Sequence, residues 1–129
     1  MTEYLDLDDL LAAAAAAVRG PPDVRDIGLL QSAAARPQAT AFGEDAYPDI
    51  DAKAAALLHA IVAGHPLVDG NKRLGWIATR LFYRMNDADI RVGPSDAYDI
   101  IVAVASGELR DVPAIAERLA SWRRPLGES

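Results

Sequence analysis

The feature that most restricts this chain is a run of apolar residues at helical spacing between Asn71 and Asn86. Leu74, Ile77, Ala78, Leu81, Phe82 and Met85 recur every three or four residues, while Arg73, Arg80 and Arg84 fall on the other side. That period suits one buried stripe of an α-helix, not a strand, whose side chains alternate from face to face. A second stretch, Ile50 to Gly64, follows a capping aspartate, Asp49, and carries Ala54, Leu57, Leu58 and Ile61 on one face. Four more helices follow from the same reasoning. Asp6 begins an alanine-rich helix whose acidic first turn suits the helix dipole; it runs to Arg19 and stops at Gly20-Pro21-Pro22. Another spans Asp26 to Arg36 and is closed by Pro37. The last two cover Pro94 to Ser106 and Val112 to Trp122, the final one with Val112, Ile115, Leu119 and Trp122 on a single stripe.

Between these helices, residues 37 to 49 contain two prolines, a glycine, Phe42 and Tyr47, with no helical period. They predict an irregular loop or short hairpin, either a flap over a site or a plain connector. A short strand is expected near Ile90 to Val92. The expectation is an all-α fold: one compact domain over residues 1–129, about six helices, with a flap or hairpin ahead of the two central ones.

Composition removes several function classes. The chain has no cysteine, which excludes disulfides, thiolate metal sites and a cysteine nucleophile. Its net charge is −6, a poor basis for non-specific nucleic-acid binding, which rests on neutralising phosphates. The longest apolar run, Leu10 to Val18, is too short to span a bilayer and is mostly alanine. No basic start followed by an apolar stretch marks a secretory signal. A cytoplasmic protein with no membrane or direct nucleic-acid partner is expected. Lys72, Arg73, Arg80 and Arg84 nonetheless cluster in sequence, which points to a small local anion site.

That site falls in His65-Pro66-Leu67-Val68-Asp69-Gly70-Asn71-Lys72-Arg73. Pro66 pushes His65 towards an extended conformation, and Gly70 permits a tight turn into the next helix. The first amides of that helix have no internal partner and carry partial positive charge, so they form an anion cradle beside Lys72 and Arg73. Asp69, next to the cradle, is placed to hold Mg²⁺ beside phosphates, or to serve only as a helix cap. His65, at the other end of the loop, suits proton abstraction from a hydroxyl near neutral pH. A base, a metal ligand and an anion cradle are the parts that phosphoryl or nucleotidyl transfer needs. His59, six residues earlier, points about 120° away on a helix and makes no metal pair with His65.

The nine residues 65–73 resemble the signature of the Fic/Doc superfamily, whose Fic branch carries HPFx[DE]GNGRxxR and whose Doc branch has NKR in place of NGR. Arg36-Pro37-Gln38-Ala39-Thr40 ahead of the motif and Ala105-Ser106-Gly107-Glu108 behind it agree. The resemblance covers about residues 5 to 122. It implies a helical domain whose motif loop joins two central helices, with His65 as general base and Asp69 holding Mg²⁺. Gly70, Asn71, Lys72 and Arg73 would contact the phosphates of ATP. It further implies a toxin of a toxin–antitoxin pair, a protein kinase that phosphorylates a threonine of elongation factor Tu and stops translation. A Phd-like antitoxin would neutralise it with an inserted helix.

Three departures from the Fic pattern stand out, and the second and third of them, Lys72 and Trp76, favour the Doc branch. Leu67 replaces phenylalanine and would anchor the loop in the core. Lys72 replaces the glycine that lets a phosphate approach the backbone, and Trp76 stands at the second phosphate-binding arginine. Ala63 and Ile77 are apolar where some Doc proteins place polar groups around the nucleotide. The built-in inhibitory pattern [ST]xxxE[GN] has only a chance match at Thr40 to Asp45, which leaves inhibition to another chain. Two alternatives stay open: a Fic-type nucleotidyl transferase that attaches AMP to a protein hydroxyl, and a catalytically weak member that only binds its partner.

Overall fold

A computed structural model describes residues 1–127; the last two residues of the expected domain lie outside them. The six expected helices are present: α1 Leu7–Val18, α2 Ile27–Ala35, α3 Ile50–Gly64, α4 Asn71–Met85, α5 Pro94–Ser106 and α6 Val112–Trp122. Four of them open on the caps their sequences offer. Asp6 and Asp9 form a reciprocal capping box at α1, and Asp26, Asp49 and Asp111 each accept a first-turn amide of α2, α3 and α6.

α3 is the axis of the molecule. A single buried face was expected, but Asp51, Lys53, Ala54, Ala55, Ala56, Leu57, Leu58, Ile61 and Val62 are all buried. The reason is its position: α2, α4, α5 and α6 all pack on it, and its alanines let them come close. On α4 the buried stripe is Leu74, Gly75, Ala78, Thr79, Phe82 and Tyr83, with Ile77, Leu81 and Met85 only partly covered. The stripe is turned from the one expected because Gly75 faces α3. A Cβ there would run into Val62 and Leu58. Thr79 is tolerated inside because its hydroxyl donates to the Gly75 carbonyl at 2.7 Å.

The 37–49 segment resolves into a one-turn 3₁₀ helix, Arg36–Gln38, followed by a hairpin of β1 Thr40–Ala41 and β2 Glu44–Asp45. Phe42 and Gly43 make its exposed tip, both at positive φ. Lys53, only 3% exposed, anchors the hairpin base by donating to the Asp45 carboxylate at 3.2 Å and to the Tyr47 carbonyl. The strand expected at 90–92 lies two residues earlier, as β3 Ala88–Ile90, because Asp87 turns the chain in the left-handed region straight after α4. β3 pairs antiparallel with a strand that was not expected, β4 Arg123–Pro125. Beside it, buried Tyr83 donates to the Asp51 carboxylate at 2.8 Å, and Arg123 reaches the same oxygen at 3.0 Å.

Candidate functional site

The α3–α4 connection is held almost entirely through its backbone. His65 is the C-cap of α3, at φ 53 and ψ 58, and its amide donates to Ile61 at 3.1 Å. This left-handed conformation replaces the extended one expected. Pro66 disfavours the right-handed helical region for the residue before it, and the left-handed region lets the same residue close the helix. Leu67 is buried, so it anchors the loop in the core, and it bridges to Val24. The Pro66 carbonyl accepts the amides of Arg25 and Asp26 at 2.9 and 3.1 Å, and the Val68 amide donates to Asp23 at 2.9 Å. The Asn71 side chain closes the loop from within: it accepts from the Leu67 amide at 2.8 Å and donates to the Leu67 carbonyl at 2.9 Å. Gly70, at φ 93, is the N-cap of α4 and supplies no side-chain cap, so Asp69 is not used as one. A side chain at Gly70 would be strained at this φ, and its Cβ would lie 2.7 Å from Val18.

The outcome is a cavity of about 480 Å³ lined by Val18, His65, Val68, Asp69, Gly70, Asn71, Lys72 and Arg73. All six residues singled out in the sequence thus face one space. Among the described residues, the His65 ring, the Asp69 carboxylate and the Lys72 ammonium make no hydrogen bond or ion pair. Arg73 is partly engaged, with a long 3.5 Å bond to the Ala17 carbonyl at the end of α1. A second cavity, about 760 Å³, begins at Lys72 and Arg73 and continues past Arg19, Trp76, Ile77 and Tyr98.

Residues 4–83, most of which make up α1 to α4 and this loop, match the Fic/DOC family. The chain belongs to the Fic/Doc family. It is 45% identical over 124 residues to the protein named Toxin Doc from Mycolicibacterium smegmatis (strain ATCC 700084 / mc(2)155), a match covering 95% of each chain.

The basic cluster is split in two. Arg80 makes a two-point contact with Asp89 at 3.2 and 3.1 Å, and Arg84 joins it at 3.0 Å. These two arginines therefore do not extend the motif cavity. Arg80's hydrogen bond, outweighing partial burial, holds the Asp89 carboxyl down at about 2. Trp76 lines the second cavity and a third one near Arg80, but not the motif cavity. His59 faces Arg36 at 2.8 Å, away from the motif cavity, and burial followed by the nearby guanidinium lowers its pKa.

Among the described residues, no three His, Asp or Glu side chains converge as a protein-only metal cage. One exposed carboxylate, Asp69, beside a cavity that Lys72 and Arg73 also line fits Mg²⁺, which keeps most of its waters and takes its other ligands from phosphates. No helix among the described residues is long and apolar enough to cross a membrane. Val18, Asp23 and Arg25 are parts of the site that the sequence reading missed. They meet the loop only through tertiary packing, and no motif spacing marks them.

Proposed function

We propose that this chain is the toxin of a toxin–antitoxin pair and acts as an ATP-dependent protein kinase. It moves the γ-phosphoryl group of ATP to a threonine of elongation factor Tu and so blocks translation. The observation that carries this reading is the motif cavity: His65, Asp69 and Lys72 share it with no partner of their own among the described residues, on a backbone pinned from both sides. The 45% identity to a protein named Toxin Doc supports it along nearly the whole chain.

In this mechanism the target hydroxyl oxygen attacks the γ-phosphorus. The bond from that phosphorus to the β–γ bridging oxygen breaks, ADP leaves, and the hydroxyl proton passes to a ring nitrogen of His65. Lys72, Arg73 and the first amides of α4, opened by Gly70, hold phosphate oxygens. Asn71 keeps those amides in register through its grip on Leu67. Asp69 would hold Mg²⁺, which when bound neutralises phosphate charge. A protein of this kind needs restraint, and the site contains no inhibitory segment of its own among the described residues. A Phd-like antitoxin is the partner proposed.

Transfer of AMP is the second reading. Lys72 disfavours it, because its stem and charge occupy the approach a glycine would leave open. The two are separated with ATP labelled at either phosphorus and purified elongation factor Tu as acceptor. Label from the γ position, lost in His65→Ala, is the expected result. Label from the α position would replace kinase with nucleotidyl transferase, and no label from either would leave a partner-binding protein.

A further inference from the structure

We infer that Arg25 is a positioning residue for His65, an inference that rests on the phosphoryl-transfer reading above. The last carbonyls of a helix have no partner within it. At the end of α3 two of them are taken by a single side chain: Arg25 Nη2 donates to the Gly64 carbonyl at 3.0 Å and Nε to the His65 carbonyl at 2.8 Å. A guanidinium is a planar fork with fixed donor directions. Binding two successive carbonyls therefore sets the rotation of the peptides on both sides of the His65 Cα, and with it the direction in which the Cα–Cβ bond carries the ring into the cavity.

That control is needed here because His65 is a non-glycine residue at φ 53, a conformation that persists only when its surroundings over-determine it. The rest of the 23–26 strap completes the restraint. The Arg25 and Asp26 amides hold the Pro66 carbonyl, and Asp23 holds the Val68 amide. Arg25 itself is exposed and lies outside the hydrophobic core. Its two directed bonds thus act on the carbonyls around the proposed base, and the fold does not depend on its burial.

The test is steady-state kinetics with γ-labelled ATP and elongation factor Tu, on the wild type, Arg25→Ala and Arg25→Lys, with a thermal melt and amide hydrogen exchange on each. Misplacing a base by about 1 Å costs on the order of 100-fold, so kcat should fall about 10- to 100-fold in Arg25→Ala. KM for ATP should stay within about twofold, because the phosphate contacts are untouched. Arg25→Lys should recover part of kcat, since an ammonium cannot hold both carbonyls in a fixed fork. Exchange at His65 and Val68 should quicken in Arg25→Ala while Leu74 stays as it was. An unchanged kcat, a rise in KM alone, or loss of the folded state in both variants overturns the assignment. Should the wild-type chain transfer no phosphoryl group, the proposed function fails separately. Exchange then decides the clamp, and unaltered exchange at His65 and Val68 in Arg25→Ala overturns it.

Discussion

The two ends of the α3–α4 pair are built on opposite plans. At the motif end the backbone is tied down by Arg25, Asn71 and the 23–26 strap, while the side chains of His65, Asp69 and Lys72 are left without partners among the described residues. At the far end the polar side chains are tied to each other. Tyr83 and Arg123 share Asp51, Arg80 and Arg84 share Asp89, and Asn86 holds the backbone of Glu3 and Phe82. A paired polar group contributes to stability and is lost to chemistry; an unpaired one in a rigid frame is available to a substrate. The same two helices thus separate the two tasks along their length.

Substitutions can break or sharpen that contrast. The largest effect is expected at His65→Ala. Loss of a general base costs about 10²- to 10⁴-fold in kcat, while the melting temperature stays within a degree or two because the ring has no partner among the described residues. A large fall in melting temperature would erase the distinction. Asp51→Ala should do the reverse. It strands the buried Tyr83 hydroxyl, whose pKa burial and the Asp51 carboxylate already raise. The expected loss is about 1–3 kcal/mol by denaturant unfolding, with kcat little changed in the folded fraction.

Acid titration reads a smaller term. The Asp89 carboxyl is held at about 2, below its ordinary 3.8. Its folded pKa is depressed, so its stabilisation is whole above about pH 4 and disappears as pH falls towards 2. The partners Arg80 and Arg84 are 43% and 52% exposed, which screens the pairing, and a contribution of about 1 kcal/mol or less is expected. In Arg80→Ala that slice of acid sensitivity should shrink, as measured by unfolding at pH 2 to 5. Arg84→Ala should be the mildest, within about 0.5 kcal/mol at neutral pH, since Arg80 keeps its two-point hold on Asp89.

Much of this was legible in the chain itself. The six helices agree with their expected spans to within about a residue at each end; Asp6, Asp26 and Asp49 announce three of the starts, and Gly20 and Pro37 two of the stops. The motif residues could be picked out together because they lie within nine positions. Less was legible where contacts skip along the chain. β4 has no alternating pattern and exists only because β3 lies beside it. The splitting of the basic cluster depends on Asp89 reaching back to Arg80 and Arg84, and the hold on His65's carbonyl comes from Arg25, far back in the chain.

What the sequence determined by itself is local: helices from periodicity and caps, and a loop holding a base, a carboxylate and cations. These follow from backbone sterics and neighbours within a few residues. What only the tertiary structure decided is which of those groups remain open. Arg25 lies 40 positions from His65 and Asp51 lies 32 from Tyr83. Whether a side chain is spent on the fold or left to a substrate depends on which distant segment packs against it, and no local spacing encodes that.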